Sequence, residues 1–289
     1  MKWRGRRSSS NVEDRRGQGM SRGAKVGGGM GVMGIVAAVV IFLLGGDPSA
    51  LLGQLLGGGG SVSSAPARAP TSEQAQVEGE FASVMLAETE DTWNRVFQQY
   101  GQRYREPTLV LYEDQVRSAC GMNSSATGPF YCPGDYKLYL DTSFFNQLAR
   151  MGGAGDFASA YVIAHEVGHH VQNLTGVLQK VRAYQSRVGK ADQNALQVLV
   201  ELQADCYAGV WGHHANAKGD LLERGDIEEG LRAAAAIGDD TLQQNAGRRA
   251  RPETFTHGTS AQRKEWLMIG LRGGDVSACD TFAQAGVSL

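Results

Sequence analysis

From residue 77 to the C-terminus, apolar positions recur at helical spacing far more often than they alternate. Val77 to Tyr100 places Phe81, Val84, Met85, Trp93, Val96, Phe97 and Tyr100 on roughly one face, and Gly101 closes the stretch. Two strands are expected: Thr108 to Tyr112, which follows Pro107, and Tyr136 to Asp141, which alternates. Thr142 is placed to cap a helix through Arg150. The next helix starts near Asp156 or Ser159, is apolar nearly all round, and stops at Asn173, Thr175 and Gly176. Further helices are expected over Val177 to Val188, Asp192 to Gly212, Asp226 to Gln244, Ser260 to Leu271 and Asp275 to Gln284. No internal repeat is visible.

The pattern upstream is different. Residues 1–25 hold eight basic residues against Glu13 and Asp14, with Gly and Ser between them. That composition predicts a disordered tail. From Val26 to Gly46 no residue is charged. As a helix this run is about 31 Å long, enough to cross a bilayer core. A membrane anchor over 26–46 fits better than a cleaved signal peptide, whose apolar core is shorter, or a buried soluble helix, which seven glycines oppose. The basic flank predicts a cytoplasmic N-terminus, with the rest of the chain periplasmic or extracellular. Residues 47–76, rich in Gly, Ser, Ala and Pro, read as a flexible linker, and 77–289 as one domain.

Charge sharpens this division. The whole chain carries 28 basic and 30 acidic residues, so the part beyond the basic tail is acidic. An acidic body argues against nucleic-acid binding. Cysteine adds a compartment: the four are Cys120, Cys132, Cys206 and Cys279, and none are two residues apart as in metal-binding pairs. Outside the cytoplasm disulfides are permitted. Cys120 and Cys132 bracket a loop between the two strands, which suggests that pair and leaves Cys206 with Cys279, although sequence alone permits three pairings.

The chemistry concentrates in His165-Glu166-x-x-His169. Histidines four apart lie one above the other on a helix face and reach one small cation, while Glu166 sits beside a water held there. A helix that merely happens to carry histidines is the bland alternative, and only a third ligand and a fitting compartment argue against it. Gly168 inside the motif implies a close approach to the backbone. His170 points away from His169 and reads as a structural or supporting residue. Glu201 is the best third ligand, set among Leu196, Val198, Leu199, Val200 and Leu202. Asp205, four residues on, shares its face and is placed to orient a ligand histidine. His213 and His214 face elsewhere on that helix.

The His-Glu-x-x-His helix followed by Glu201-x-x-Ala-Asp205 resembles the gluzincin metallopeptidases. More closely, the chain resembles a bacterial family of neutral zinc metallopeptidases that are anchored in the membrane by a single span. Cys120-Gly121, Phe130 to Asp135, His165 to His170, Glu201 to Asp205 and Thr256 to Arg263 carry that resemblance. It implies one zinc ion held by His165, His169 and Glu201, with Glu166 as general base. His257 and Arg263 have the spacing of a histidine and an arginine in related membrane enzymes. By that similarity His257 stabilises the oxyanion and Arg263 orders the neighbouring carboxylates.

The expectation is therefore an α+β, mostly helical, zincin-like domain with a small β-sheet, preceded by one transmembrane helix. Its expected activity is zinc-dependent hydrolysis of peptide or protein substrates, with strand 136–141 as the edge against which an extended substrate pairs. Two alternatives stay open: an inactive zinc-bearing scaffold at the membrane, and an amidase acting on cell-wall peptides.

Overall fold

A computed structural model describes residues 1–17 and 72–288. The expected membrane segment 26–46 and most of the linker lie outside the described residues. No described helix is long and apolar enough to cross a membrane.

In chain order the elements are β1 (Val12–Asp14), α1 (Glu73–Gln99), β2 (Thr108–Tyr112), β3 (Gln115–Ser118), β4 (Gly121–Ser124), β5 (Phe130–Cys132), β6 (Lys137–Asp141), α2 (Ser143–Arg150), α3 (Asp156–Leu174), α4 (Val177–Gln185), α5 (Lys190–Gly219), α6 (Asp226–Ala236), α7 (Asp239–Asn245), α8 (Ser260–Gly273) and α9 (Thr281–Gln284). The class is α+β and mostly helical. One sheet has the order β1-β2-β6-β5, with β1, β2 and β6 parallel and β5 antiparallel to β6, and β3 and β4 form a separate hairpin. Strand β6 is flanked on both sides, so it offers no free edge to a substrate; β5 is the outer strand. The expectation for strand 136–141 is corrected accordingly.

Helices α3 and α5 cross at the centre of the core. Gly168 permits the crossing: a Cβ there would lie 3.0 Å from both Cα and O of Ala204. Gly209 of α5 and Gly270 of α8 meet even more closely, with an added Cβ at Gly270 falling 2.0 Å from the Cys206 carbonyl oxygen. Small residues at both crossings bring side chains of three helices to one point. Two disulfides, Cys120–Cys132 and Cys206–Cys279, follow the pairing suggested by the loop, and the second ties α5 to the C-terminal segment.

The largest departure from expectation is the N-terminus. Residues 1–17 are not a free tail but a strap laid across α1 and the sheet. Trp3 is buried and meets Phe81 edge to face at 5.3 Å. Strand β1 adds to β2, with Val12 opposite Leu109. The basic residues that suggested disorder have partners: Arg6 with Glu88, Arg7 with Glu90 and Asp91, Arg16 with Asp14, and Lys2 with Asp220. A charge count treats such residues as solvated, and it cannot see carboxylates placed on α1 some eighty positions later. The expected helix 226–244 is also divided, into α6 and α7. Gly238 lies at the break, where an added Cβ would stand 2.4 Å from the Ser260 backbone nitrogen. The described linker residues from Glu73 onward belong to α1, which Ser72 caps by accepting from the Ala75 N–H.

Candidate metal centre

Helix α3 presents His165 and His169 on one face, and α5 brings Glu201 against them. His165 Nε2 lies 3.1 Å and His169 Nε2 3.4 Å from Glu201 Oε2. One ligand atom from each residue falls within 4.8 Å of the others, and this is the one such trio among the described residues. Two donors of a tetrahedral zinc ion with bonds near 2.1 Å stand about 3.4 Å apart. The His169–Glu201 separation equals that figure and the His165–Glu201 separation is slightly shorter.

The surrounding hydrogen bonds fix which nitrogen is free. His165 Nδ1 donates to Asp205 Oδ1 at 2.8 Å, and His169 Nδ1 donates to Gln172 Oε1 at 2.9 Å. Both Nε2 lone pairs therefore turn towards the Glu201 carboxylate. With both histidines neutral, three acceptors converge at a buried point and repel one another unless a proton or a metal cation sits among them. The donor set fits zinc. Gln172 is held in turn by donating to the Val200 carbonyl at 2.7 Å, and Gln197 donates to the other Glu201 oxygen at 2.9 Å.

Behind the histidines lies a fully buried ionic cluster. Asp205 accepts from Arg263 Nε at 2.8 Å and Nη2 at 2.9 Å, and from the Tyr161 hydroxyl at 2.5 Å. Arg263 comes from α8, which packs on α5 at the Gly209–Gly270 contact. Burial pushes the Asp205 carboxyl up, but Arg263 and His165 outweigh it and hold it at about 2. Burial likewise opposes charge on His165, yet Asp205 and Glu201 raise it to about 9. Burial also opposes charge on Glu201, but His169 and His165 keep it well below the usual carboxylate range. The centre is thus an electronegative pocket that favours a cation.

Glu166 is half-buried beside His165 and makes no side-chain hydrogen bond among the described residues, which leaves its carboxylate available to a water or substrate. His257 stands in the loop before α8. Asp239, at the start of α7, organises that loop: its Oδ2 accepts from the backbone N–H groups of Thr256, His257 and Gly258 at 2.7, 2.6 and 2.9 Å. Asp239 Oδ1 lies 3.4 Å from His257 Nδ1. His257 also approaches Glu201 closely enough that each stabilises the charged form of the other.

Sequence reasoning missed Asp239, because residues 226–244 read as one helix. The signal was Gly238, which marks the break that exposes Asp239 to the loop. His170 proves structural: it bonds the Arg105 carbonyl at 2.6 Å and the Tyr131 hydroxyl at 3.0 Å, and burial lowers it to about 4, so it stays neutral. His213 and His214 bond the carbonyls of Leu271 and Gly274, away from the centre.

Comparison with known proteins agrees with this geometry. A family described as "Putative neutral zinc metallopeptidase" matches residues 1–282. The chain belongs to this family. Among similar proteins is Uncharacterized protein YpfJ of Escherichia coli (strain K12), 45% identical over 291 residues that cover 99% of this chain and 100% of the relative. Another is Uncharacterized protein Rv2575 of Mycobacterium tuberculosis (strain ATCC 25618 / H37Rv), 47% identical over 193 residues that cover 63% of this chain and 64% of the relative. No solved structure matches the chain. The family assignment implies zinc, and His165, His169 and Glu201 are, among the described residues, a group that could hold it.

Proposed function

We propose that the chain is a zinc-dependent peptidase that hydrolyses peptide bonds in peptide or protein substrates at a membrane. The observation that carries the reading is the convergence of His165 Nε2, His169 Nε2 and Glu201 Oε2, with the unpaired carboxylate of Glu166 on the next position of the same helix. His165, His169 and Glu201 would hold the ion. When bound, zinc supplies Lewis-acid polarisation of a carbonyl and lowers the pKa of water. The remaining steps belong to the chain's own groups. Glu166 takes one proton from the attacking water as the new C–O bond forms. It returns that proton to the amide nitrogen as the C–N bond breaks, giving a carboxylic acid and an amine, and the acid's proton then passes to the amine or to solvent. His257, anchored by Asp239, donates to the oxygen that gains charge between the two steps. Asp205 and Arg263 hold His165 in the tautomer that presents Nε2.

An inactive scaffold needs the three ligands but has no use for Glu166. The test is hydrolysis of an unfolded protein and of cell-wall peptides by the zinc-loaded full-length chain and by Glu166→Gln. Cleavage by the parent alone is the expected result. Loss of activity on every substrate in both proteins, with zinc retained, would favour the scaffold. Cleavage of cell-wall peptides alone would favour the amidase.

A further inference from the structure

Different chemistry orients the two ligand histidines. His165 Nδ1 donates to the Asp205 carboxylate, whereas His169 Nδ1 donates to the neutral side-chain amide of Gln172, which is fully buried. A side-chain amide presents either its oxygen or its nitrogen, so a further contact must decide which one faces the ring. The Gln172 nitrogen donates to the Val200 carbonyl at 2.7 Å and to Gln203 Oε1 at 3.1 Å. Gln203 is a second buried amide, and its nitrogen donates to the Cys279 carbonyl at 3.0 Å. A carbonyl only accepts, so the Cys279 end sets the direction of the whole row. Gln203 turns its oxygen to Gln172, and Gln172 turns its oxygen to His169. Nδ1 of that ring then carries the proton, which leaves Nε2 free for an ion. The Cys279 carbonyl is itself held in place. Cys279 ends the turn Val276–Cys279 and is bonded to Cys206, about one helical turn beyond Gln203 on α5. The Thr281 hydroxyl donates to the Leu199 carbonyl at 2.7 Å, and Phe282 packs with Val181, Leu196 and Val200.

We propose that Gln203 and Gln172 form a relay of amides that carries the placement of the disulfide-bonded C-terminal segment to His169, and that this relay sets how tightly the centre holds zinc. Both are positioning residues that act through the His169 ring; neither is a ligand. The inference rests on the reading of His165, His169 and Glu201 as the zinc ligands. The two amides are not equivalent. Gln172 touches the ring directly, so its loss removes the acceptor that holds Nδ1–H. Loss of Gln203 leaves Gln172 with the Val200 carbonyl, which loosens the amide without reversing it. The effect of Gln203 is therefore the smaller one, and it exists only while Gln172 is present.

The test measures zinc affinity of the full-length chain by competition with a chelator. It compares the parent with Gln172→Met, Gln203→Met, the double variant and Thr281→Val. Met keeps the length of Gln and removes its hydrogen bonds; Gln203→Leu stands in should Gln203→Met not fold. Thr281→Val removes an anchor of the same C-terminal segment that lies outside the relay. Gln172→Met should weaken zinc binding about 10–100-fold, and Gln203→Met about 10-fold, at the low end of that range. The double variant should bind no more weakly than Gln172→Met, because Gln203 acts only through Gln172. Thr281→Val should bind zinc as the parent does. With zinc in excess, the His169 Nδ1 proton should exchange with solvent faster in Gln203→Met than in the parent. Losses that multiply in the double variant, an affinity unchanged in Gln203→Met, or an equal loss in Thr281→Val would each overturn the relay while leaving the ligand reading intact. A metal-replete parent that holds no zinc would overturn both.

Discussion

Two ionic networks organise this molecule. Around the metal centre, Asp205, Arg263, Tyr161 and His165 form a sealed cluster with Asp205 and Arg263 almost wholly buried. Along the strap, Arg6, Arg7 and Arg15 pair with carboxylates while keeping much of their side chains in water. The first network is rigid because desolvated charges tolerate no loss of a partner. The second gains little from any one pair, and Trp3 and the β1–β2 ladder supply its anchorage. Charge therefore does different work in the two places: it fixes a tautomer in one and decorates an apolar dock in the other.

Substituting Arg263 breaks the comparison most sharply. Arg263→Met leaves the buried Asp205 carboxylate with only Tyr161 and His165 as partners, and should cost about 3–5 kcal/mol in thermal or denaturant unfolding. Zinc affinity, measured by competition with a chelator, should fall about 10–100-fold as His165 loses its support. His257→Ala should leave zinc content and stability unchanged but lower kcat about 10²–10³-fold with little change in KM; a loss of zinc instead would place His257 among the structural residues. On the strap, Trp3→Ala should cost about 3 kcal/mol of its docking, seen as faster amide exchange over residues 11–14 with the metal centre still loaded. Arg7→Ala, whose side chain is 49% exposed, should cost under about 1 kcal/mol and vanish at high salt.

The smallest effect is on pH. Glu13, Asp14 and Asp91 all titrate below their ordinary values because their basic partners outweigh burial. Their contribution is present above the ordinary carboxylate range and is lost as pH falls through the lowered values. The Met1 ammonium is raised above 8.0: Glu223 and Asp226 outweigh its burial, so its contribution is full below that pH and fades as pH climbs through the raised value. Strap protection in hydrogen exchange should thus plateau between about pH 5 and 8 and weaken on both sides.

The two networks also differ in how far the sequence reveals them. The metal centre was legible as a candidate because helical spacing aligns His165 with His169 and Glu201 with Asp205, and Glu201 stands in an apolar setting; Gly168 marked a close approach without naming α5 as the element that comes near. Most helix positions and the two principal strands were legible for the same local reasons, and the Cys120–Cys132 pair across its loop left Cys206 for Cys279; 226–244 and 275–284, each expected as one helix, are broken. The strap was not, since its strand has three residues and its charges answer to Glu88, Glu90 and Asp91 on a distant helix. Asp239 was hidden likewise, because the break before α7 is imposed by Ser260 from another part of the chain. Spacing within one helix survives translation into structure; contacts between remote segments leave only a glycine or a buried aromatic as their trace.

Everything at the metal centre depends on His165, His169 and Glu201 holding one ion. Zinc stoichiometry of the full-length chain should be measured alongside Glu201→Ala and Glu166→Gln. One zinc per chain in the parent and in Glu166→Gln, with none retained by Glu201→Ala after dialysis, is the predicted result. Zinc retained in full by Glu201→Ala, or absent from the metal-replete parent, would contradict the account.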